Sequence, residues 1–163
     1  MKELVVFYSL EGNTEYVAEK IREKTGADIL KLIPKKKYRD KGFSKFVWGG
    51  FSTIMAEKPE LNEISTDLSQ YERIIIGFPV WASSFAPPIR TFAEDNKDLL
   101  KEKRLVVYAC QAGNGAIKAF EKLKGLLGVD GFERTEIFFD PKSKADPQKD
   151  EQIEAFCRSL SEG

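Results

Sequence analysis

Leu4-Val5-Val6-Phe7-Tyr8-Ser9-Leu10-Glu11-Gly12-Asn13-Thr14 is the stretch that decides the fold. Its first five residues form an unbroken apolar run, the pattern of a strand buried on both faces. Ser9, Gly12, Asn13 and Thr14 interrupt the run, and Val17, Ala18 and Ile21 then recur at helical spacing. A helix therefore opens near residue 14. Strand, short loop of small residues and helix N-terminus together suit a phosphate group. The N–H groups of the first turn face outward, Ser9 and Thr14 offer hydroxyls, and Gly12 admits a close approach. No Lys or Arg lies between Ser9 and Thr14, so the loop is expected to hold an anion mainly with neutral donors. An ordinary strand-to-helix turn is the competing reading.

Working outward, strand and helix alternate along the chain. Strands are expected at residues 3–8, 28–33, 73–78, 104–110 and within 132–139. The third, Arg73-Ile74-Ile75-Ile76-Gly77-Phe78, is apolar enough to be central. Helices are expected over residues 14–24, from Pro88 with Ile89, Phe92, Ala93, Leu99 and Leu100 inward, around Ile117, Phe120, Leu123 and Leu127, and around Ile153, Phe156, Cys157 and Leu160. Five strands alternating with helices predict one domain over residues 1–163. Its architecture is a three-layer α/β/α with a five-stranded parallel sheet in the order 2-1-3-4-5. In such sheets a ligand sits at the carboxyl ends, where strands one and three part. The loops at residues 9–14, 79–88 and 110–116 meet there. Phe43, Phe46, Val47, Gly50, Ile54 and Met55 recur near helical spacing. Residues 38–58 are thus read as a short amphipathic helix covering the sheet or, alternatively, as a lid or partner surface carrying Trp48.

Composition narrows the chemistry. The 163 residues carry 26 basic and 26 acidic side chains, so the net charge is zero. No basic excess points to nucleic acid. No apolar stretch reaches membrane-spanning length and no signal peptide is evident, so a cytoplasmic location is expected. There is no histidine, which removes the commonest general base and metal ligand. Cys110 and Cys157 cannot complete a zinc site by themselves. A Gly-Lys-Ser/Thr nucleotide loop and a three-glycine dinucleotide fingerprint are both absent. The chemistry is therefore expected to come from a cofactor.

Taken together, the loops resemble those of the flavodoxin family, whose founding member exemplifies this strand order and ligand position. Ser9, Gly12, Asn13 and Thr14 match the family's phosphate loop, while Glu11 replaces a usual hydroxyl residue and sets a carboxylate near the anion. The segment Phe78-Pro79-Val80-Trp81-Ala82-Ser83-Ser84-Phe85-Ala86-Pro87-Pro88-Ile89-Arg90-Thr91-Phe92 is similar to one subgroup's flavin-ring loop. Residues 110–115 stand where a second ring loop falls, and residues 46–61 also look familial. The resemblance implies a noncovalent FMN. Its phosphate would rest on the loop of Ser9, Leu10, Glu11, Gly12, Asn13 and Thr14. Its ring would lie between Pro79, Val80, Trp81, Ala82, Ser83, Ser84, Phe85 and Ala86 on one side and Cys110, Gln111, Ala112, Gly113, Asn114 and Gly115 on the other. Trp81 is the aromatic expected at the ring, with Phe85 as a possible second. Ser83 stands where this subgroup commonly has glycine, so a peptide rearrangement there costs roughly 1–2 kcal/mol more.

The resemblance implies a low-potential electron carrier between redox partner proteins, monomeric or weakly dimeric. The alternative is an FMN-dependent NAD(P)H:acceptor oxidoreductase of quinone type. A third reading, a binding module that has lost its flavin, draws on Glu11 and Ser83. A phosphoacceptor signalling domain is excluded, because Phe78-Pro79 stands where its Asp is needed.

Overall fold

The computed structural model describes residues 1–38, 57–142 and 146–162. Five strands form a parallel sheet: β1 (Glu3–Phe7), β2 (Asp28–Lys31), β3 (Arg73–Trp81), β5 (Arg104–Gln111) and β6 (Arg134–Phe139). Their order is β2-β1-β3-β5-β6. Register runs straight across the centre, with Phe7 beside Gly77 and Gly77 beside Tyr108. The expected 2-1-3-4-5 order is therefore present. The strand count is corrected to six by β4 (Ser84–Phe85), which pairs antiparallel with the end of β3. Sequence patterning stopped the third strand at Phe78, but it continues to Trp81 because this hairpin supplies a partner for its last residues.

Side chains alternate along each strand and feed two cores. One face carries Leu4, Val6, Ile74, Ile76, Phe78, Leu105 and Val107. It is covered by α2 (Pro87–Asp95), α3 (Lys97–Lys101) and α4 (Ala116–Leu127). The other carries Val5, Phe7, Ile75, Val106, Tyr108 and Phe138, beneath α1 (Asn13–Thr25) and α5 (Pro147–Ser161). The single helix expected after Pro88 is two helices. Asn96 ends the first, with both its backbone N–H and its side-chain amide donating to the Phe92 carbonyl, at 3.2 and 2.8 Å. Leu100 still reaches the core from the second, so the apolar periodicity runs through the break. The second strand ends at Lys31, two residues early. The helix expected within residues 38–58 falls largely on 39–56, outside the described residues.

Candidate functional site

At the carboxyl ends of β1, β3 and β5 the chain encloses a cleft of about 360 Å³. Ser9, Leu10, Glu11, Asn13 and Thr14 line it from the first loop, Pro79, Val80, Trp81 and Ala82 from the second, and Cys110, Gln111, Ala112, Gly113 and Asn114 from the third. Fourteen of the twenty residues named from sequence thus meet in one place. Asp140, at the end of β6, completes the lining.

Two helices aim their N-termini at this end of the sheet, and both begin on glycine. Gly12 precedes α1 at φ 96° and Gly115 precedes α4 at φ 108°, neither helix having a side-chain cap. Such φ values favour glycine. In α1 the first intrahelical bond runs from Tyr16 N–H to the Gly12 carbonyl at 2.9 Å. The N–H groups of Asn13, Thr14 and Glu15 stand ahead of that ladder. Ser9 Oγ accepts from Gly12 N–H at 3.1 Å, which leaves its own proton to donate outward. By contrast α5, which contributes no residue to the cleft lining, is capped by the Asp146 side chain on Gln148 N–H at 3.0 Å.

The loop rests on a buried phenol. Tyr108 lies in the sheet beneath it and donates to the Thr14 carbonyl at 2.9 Å. Gly77 makes room: a Cβ there would fall 2.1 Å from the Tyr108 ring. Burial pushes the Tyr108 phenol well above its usual value, so it stays a donor across the ordinary pH range.

The second loop is a two-residue hairpin turn. Ala82 and Ser83 sit at φ 47° and 55°, between the paired residues Trp81 and Ser84. Two consecutive positive φ values mark the type I′ turn that suits a twisted hairpin, here without the Asn or Gly that usually fills it. The turn packs against the third loop so closely that a Cβ on Gly115 would lie 2.9 Å from Ser83 Cα. Trp81 is half-buried, with Tyr8 at 5.8 Å and Tyr38 at 5.5 Å, both edge-on. Tyr8 and Tyr38 themselves meet at 6.1 Å. Sequence reasoning missed this trio because Tyr8 looked like the end of a strand and Tyr38 lay beyond it.

Six predicted residues are placed differently. Gly12, Ser83 and Gly115 shape the loops without lining the cleft. Ser84, Phe85 and Ala86 are buried under the hairpin. Phe85 packs edge-on to Phe78 at 6.0 Å, which points it into the core and away from any ring in the cleft. Cys110 is buried at the cleft floor. Burial lifts its thiol to about 12 against a smaller opposing effect of the Thr14 hydrogen bond, so it is an inert wall.

A further segment reaches the first loop from the end of β6. After β6, Asp140 turns at φ 39° and donates its N–H to the Gln111 carbonyl at 3.1 Å. The turn carries Lys142 onto the first loop, where its N–H donates to Asn13 Oδ1 at 3.0 Å. The Asp140-Pro141 pair signalled a turn in the sequence, but nothing there tells where the turn lands.

A doubly wound parallel sheet with its cleft at the carboxyl ends, walled by a strand-to-helix loop and a glycine-capped second helix, defines an α/β ligand-binding protein. The flavodoxin family model matches residues 2–138; the chain belongs to the flavodoxin family. Solved structures agree in fold. A Bacteroides eggerthii crystal structure assigned as a flavoprotein superposes with TM-score 0.74 at 22% identity, over 98% of each chain. A flavoprotein from Lactobacillus acidophilus in complex with FMN gives 0.71 at 19% identity, over 83% of this chain and 92% of that one. A Streptococcus pneumoniae flavodoxin gives 0.60 at 19%, over 99% and 98%. No curated protein matches the sequence at a significant level.

Proposed function

We propose that this flavodoxin-family protein holds FMN in the cleft and serves as a low-potential electron carrier between redox enzymes. The observation that carries the reading is the donor set at the cleft. One end offers first-turn N–H groups and a hydroxyl suited to a phosphate. The other offers Pro79, Val80 and Trp81, suited to a flat apolar ring. The volume of about 360 Å³ lies within the range of small-ligand sites. FMN, when bound, supplies the redox chemistry.

The chain's own residues bind and shield. Ser9, Asn13 and Thr14 orient the phosphate end. Trp81, fixed edge-on by Tyr8 and Tyr38, presents an aromatic surface and excludes water. Among the described residues lining the cleft, the titratable ones are Glu11, Asp140 and Cys110. Cys110 stays protonated at neutral pH, and the sequence has no histidine. A wall so poor in neutral-pH acids and bases suits electron transfer better than acid–base catalysis.

One observation favours the alternative, an NAD(P)H:acceptor oxidoreductase. Ala112, Gly113 and Asn114 are exposed and carry no aromatic ring, which leaves that side open to a nicotinamide. The visible spectrum of FMN-loaded protein under anaerobic conditions separates the two. A carrier keeps its yellow colour on addition of NADH or NADPH and bleaches with dithionite or a separate reductase. Rapid bleaching by the nicotinamide alone identifies the oxidoreductase, and failure to retain FMN refutes both.

A further inference from the structure

The sheet ends in β6, and among the described residues no strand pairs with its outer side. The strand reads Arg134-Thr135-Glu136-Ile137-Phe138-Phe139, rich in β-branched and aromatic residues and free of proline. A run of that kind with unpaired N–H and C=O groups is a template for another chain. The opposite margin of the sheet is closed by backbone. Just past β2, Lys35 N–H donates to the Glu60 carbonyl at 2.9 Å and Asn62 N–H to the Ile33 carbonyl at 2.8 Å.

At β6 the closure is made by side chains. In a parallel ladder, alternate residues of a strand bond the same neighbour. Asp140 N–H turns inward to the Gln111 carbonyl, so Ile137, three residues earlier, presents both backbone groups outward. Glu136 Oε1 accepts from Ile137 N–H at 3.2 Å. Gln152 reaches over from α5, and its Nε2 donates to the Ile137 carbonyl at 3.0 Å and to Glu136 Oε1 at 2.9 Å. Both protons of that amide are thereby used. One amide and one carboxylate fill the two edge positions at the middle of the strand and hold each other in place. Thr135 and Phe139 lie on the same outward register to either side, and both are exposed.

We propose that Glu136 and Gln152 form a plug that closes the outer edge of β6 to a second copy of this chain and keeps the protein monomeric. A second copy is the partner refused because it carries the same run. Two such edges meet about a two-fold axis as an antiparallel pair, with Ile137 bonding on both sides. Opening the plug frees two backbone groups on each copy, which corresponds to a dimer tightened about tenfold. Neither residue lines the cleft, so the plug acts with or without a bound flavin.

The test is sedimentation velocity of the full chain over a concentration series, with circular dichroism to establish folding. Wild type is expected to stay monomeric throughout. Glu136→Ala combined with Gln152→Ala is expected to dimerise, about tenfold more tightly than wild type. Gln152→Glu keeps the side-chain volume but sets a second carboxylate against Glu136 and the Ile137 carbonyl. It is expected to dimerise likewise, and it decides the matter if the double variant does not fold. Adding Thr135→Lys, a charge on the same edge, is expected to restore the monomer. Folded variants that stay as monomeric as wild type would overturn the proposal. So would a wild-type chain that already dimerises, or association that Thr135→Lys leaves in place, since the contact would then lie elsewhere.

Discussion

Among the described glycines, Gly77 and Gly115 are the positions where one added methyl group meets most resistance. At Gly77 the new atom would sit 2.1 Å from the Tyr108 ring, between β1 and β5, where neither neighbour can move aside. Gly77→Ala is expected to lower stability by about 3 kcal/mol, at the upper end of overpacking effects, measured by urea denaturation. Gly115 combines φ 108° with contact against Ser83 backbone, so an alanine there would push the two ring loops apart. Ser83 has the opposite sign. Its φ of 55° costs about 1–2 kcal/mol in an L residue, whereas glycine loses roughly 0.5–1 kcal/mol in chain entropy. Ser83→Gly should therefore raise stability by about 0.5–1 kcal/mol in thermal melts. If the turn also rearranges when the flavin is reduced, the one-electron potentials of the loaded variant move by about 59 mV per 1.4 kcal/mol. Unchanged potentials would confine Ser83 to a structural role. The glycine loop 12–14 was readable directly because its chemistry is local. Lys142 was not, because a residue 130 positions away in sequence carries no mark of where its chain will turn.

At the scale of elements, α1 and α4 are started differently from α5. α1 and α4 begin on glycines, which supply no side-chain cap; α1 keeps its first-turn donors for a ligand, while in α4 Ala116 N–H already donates to Gln111 Oε1 at 3.0 Å. α5 begins on Asp146 and Pro147, a closed cap. Asp146→Ala is expected to cost about 1 kcal/mol in a denaturant titration, with flavin affinity unaltered. A loss of flavin affinity would instead tie α5 to the site through the turn that carries Lys142. Helix periodicity located every α-helical segment that the structure describes but not the short 3-10 helix Leu68–Gln70, and it joined α2 to α3, because Leu100 continues the apolar face on which Ile89, Phe92 and Ala93 lie. The break is visible only through the bonds Asn96 makes to Phe92. The β4 strand escaped for a related reason. Two residues give no period, and Ser84 and Phe85 become a strand only because Val80 and Trp81 lie alongside.

The whole molecule has two poles joined by the sheet. β3 runs nine residues from Arg73 to Trp81, roughly 26 Å at strand rise. At the end away from the cleft, Arg73 is fully buried, 3.0 Å from Glu3 and 3.7 Å from Glu133, and donates to the Leu160 carbonyl at 2.7 Å. Burial raises the Glu3 carboxyl above its usual value, against the opposing attraction of Arg73. Arg73→Met should cost about 3–5 kcal/mol by stranding that carboxyl, and Glu3→Leu in addition should recover much of it. Flavin affinity should not change, since the cleft lies at the other pole. Alkaline stability follows from the core on one face of the sheet, which holds both cysteines. Burial pushes Cys110 up to about 12 and Cys157 up to about 11, from a usual value near 9. Both folded values exceed the unfolded ones, so the stabilisation is complete below about pH 9 and is lost as pH rises toward 11–12. Urea midpoints are expected to fall across that window, and Cys157→Ala to flatten part of the fall. A midpoint independent of pH up to 11 would contradict the burial of both thiols.

The apolar runs, their alternation with helical patterns and the small-residue loop after the first strand together determined the sheet order, the end of the sheet that binds and most of the cleft wall. These are short-range signals, set by side-chain period and by backbone freedom at glycine, and they are written within a few residues of where they act. Only the tertiary structure decided which side chains gather around the cleft and its loops. Lys142, Asp140, Tyr8, Tyr38 and the buried Tyr108 arrive from separate turns and strands, and their meeting depends on sheet register and loop path, which no local pattern encodes.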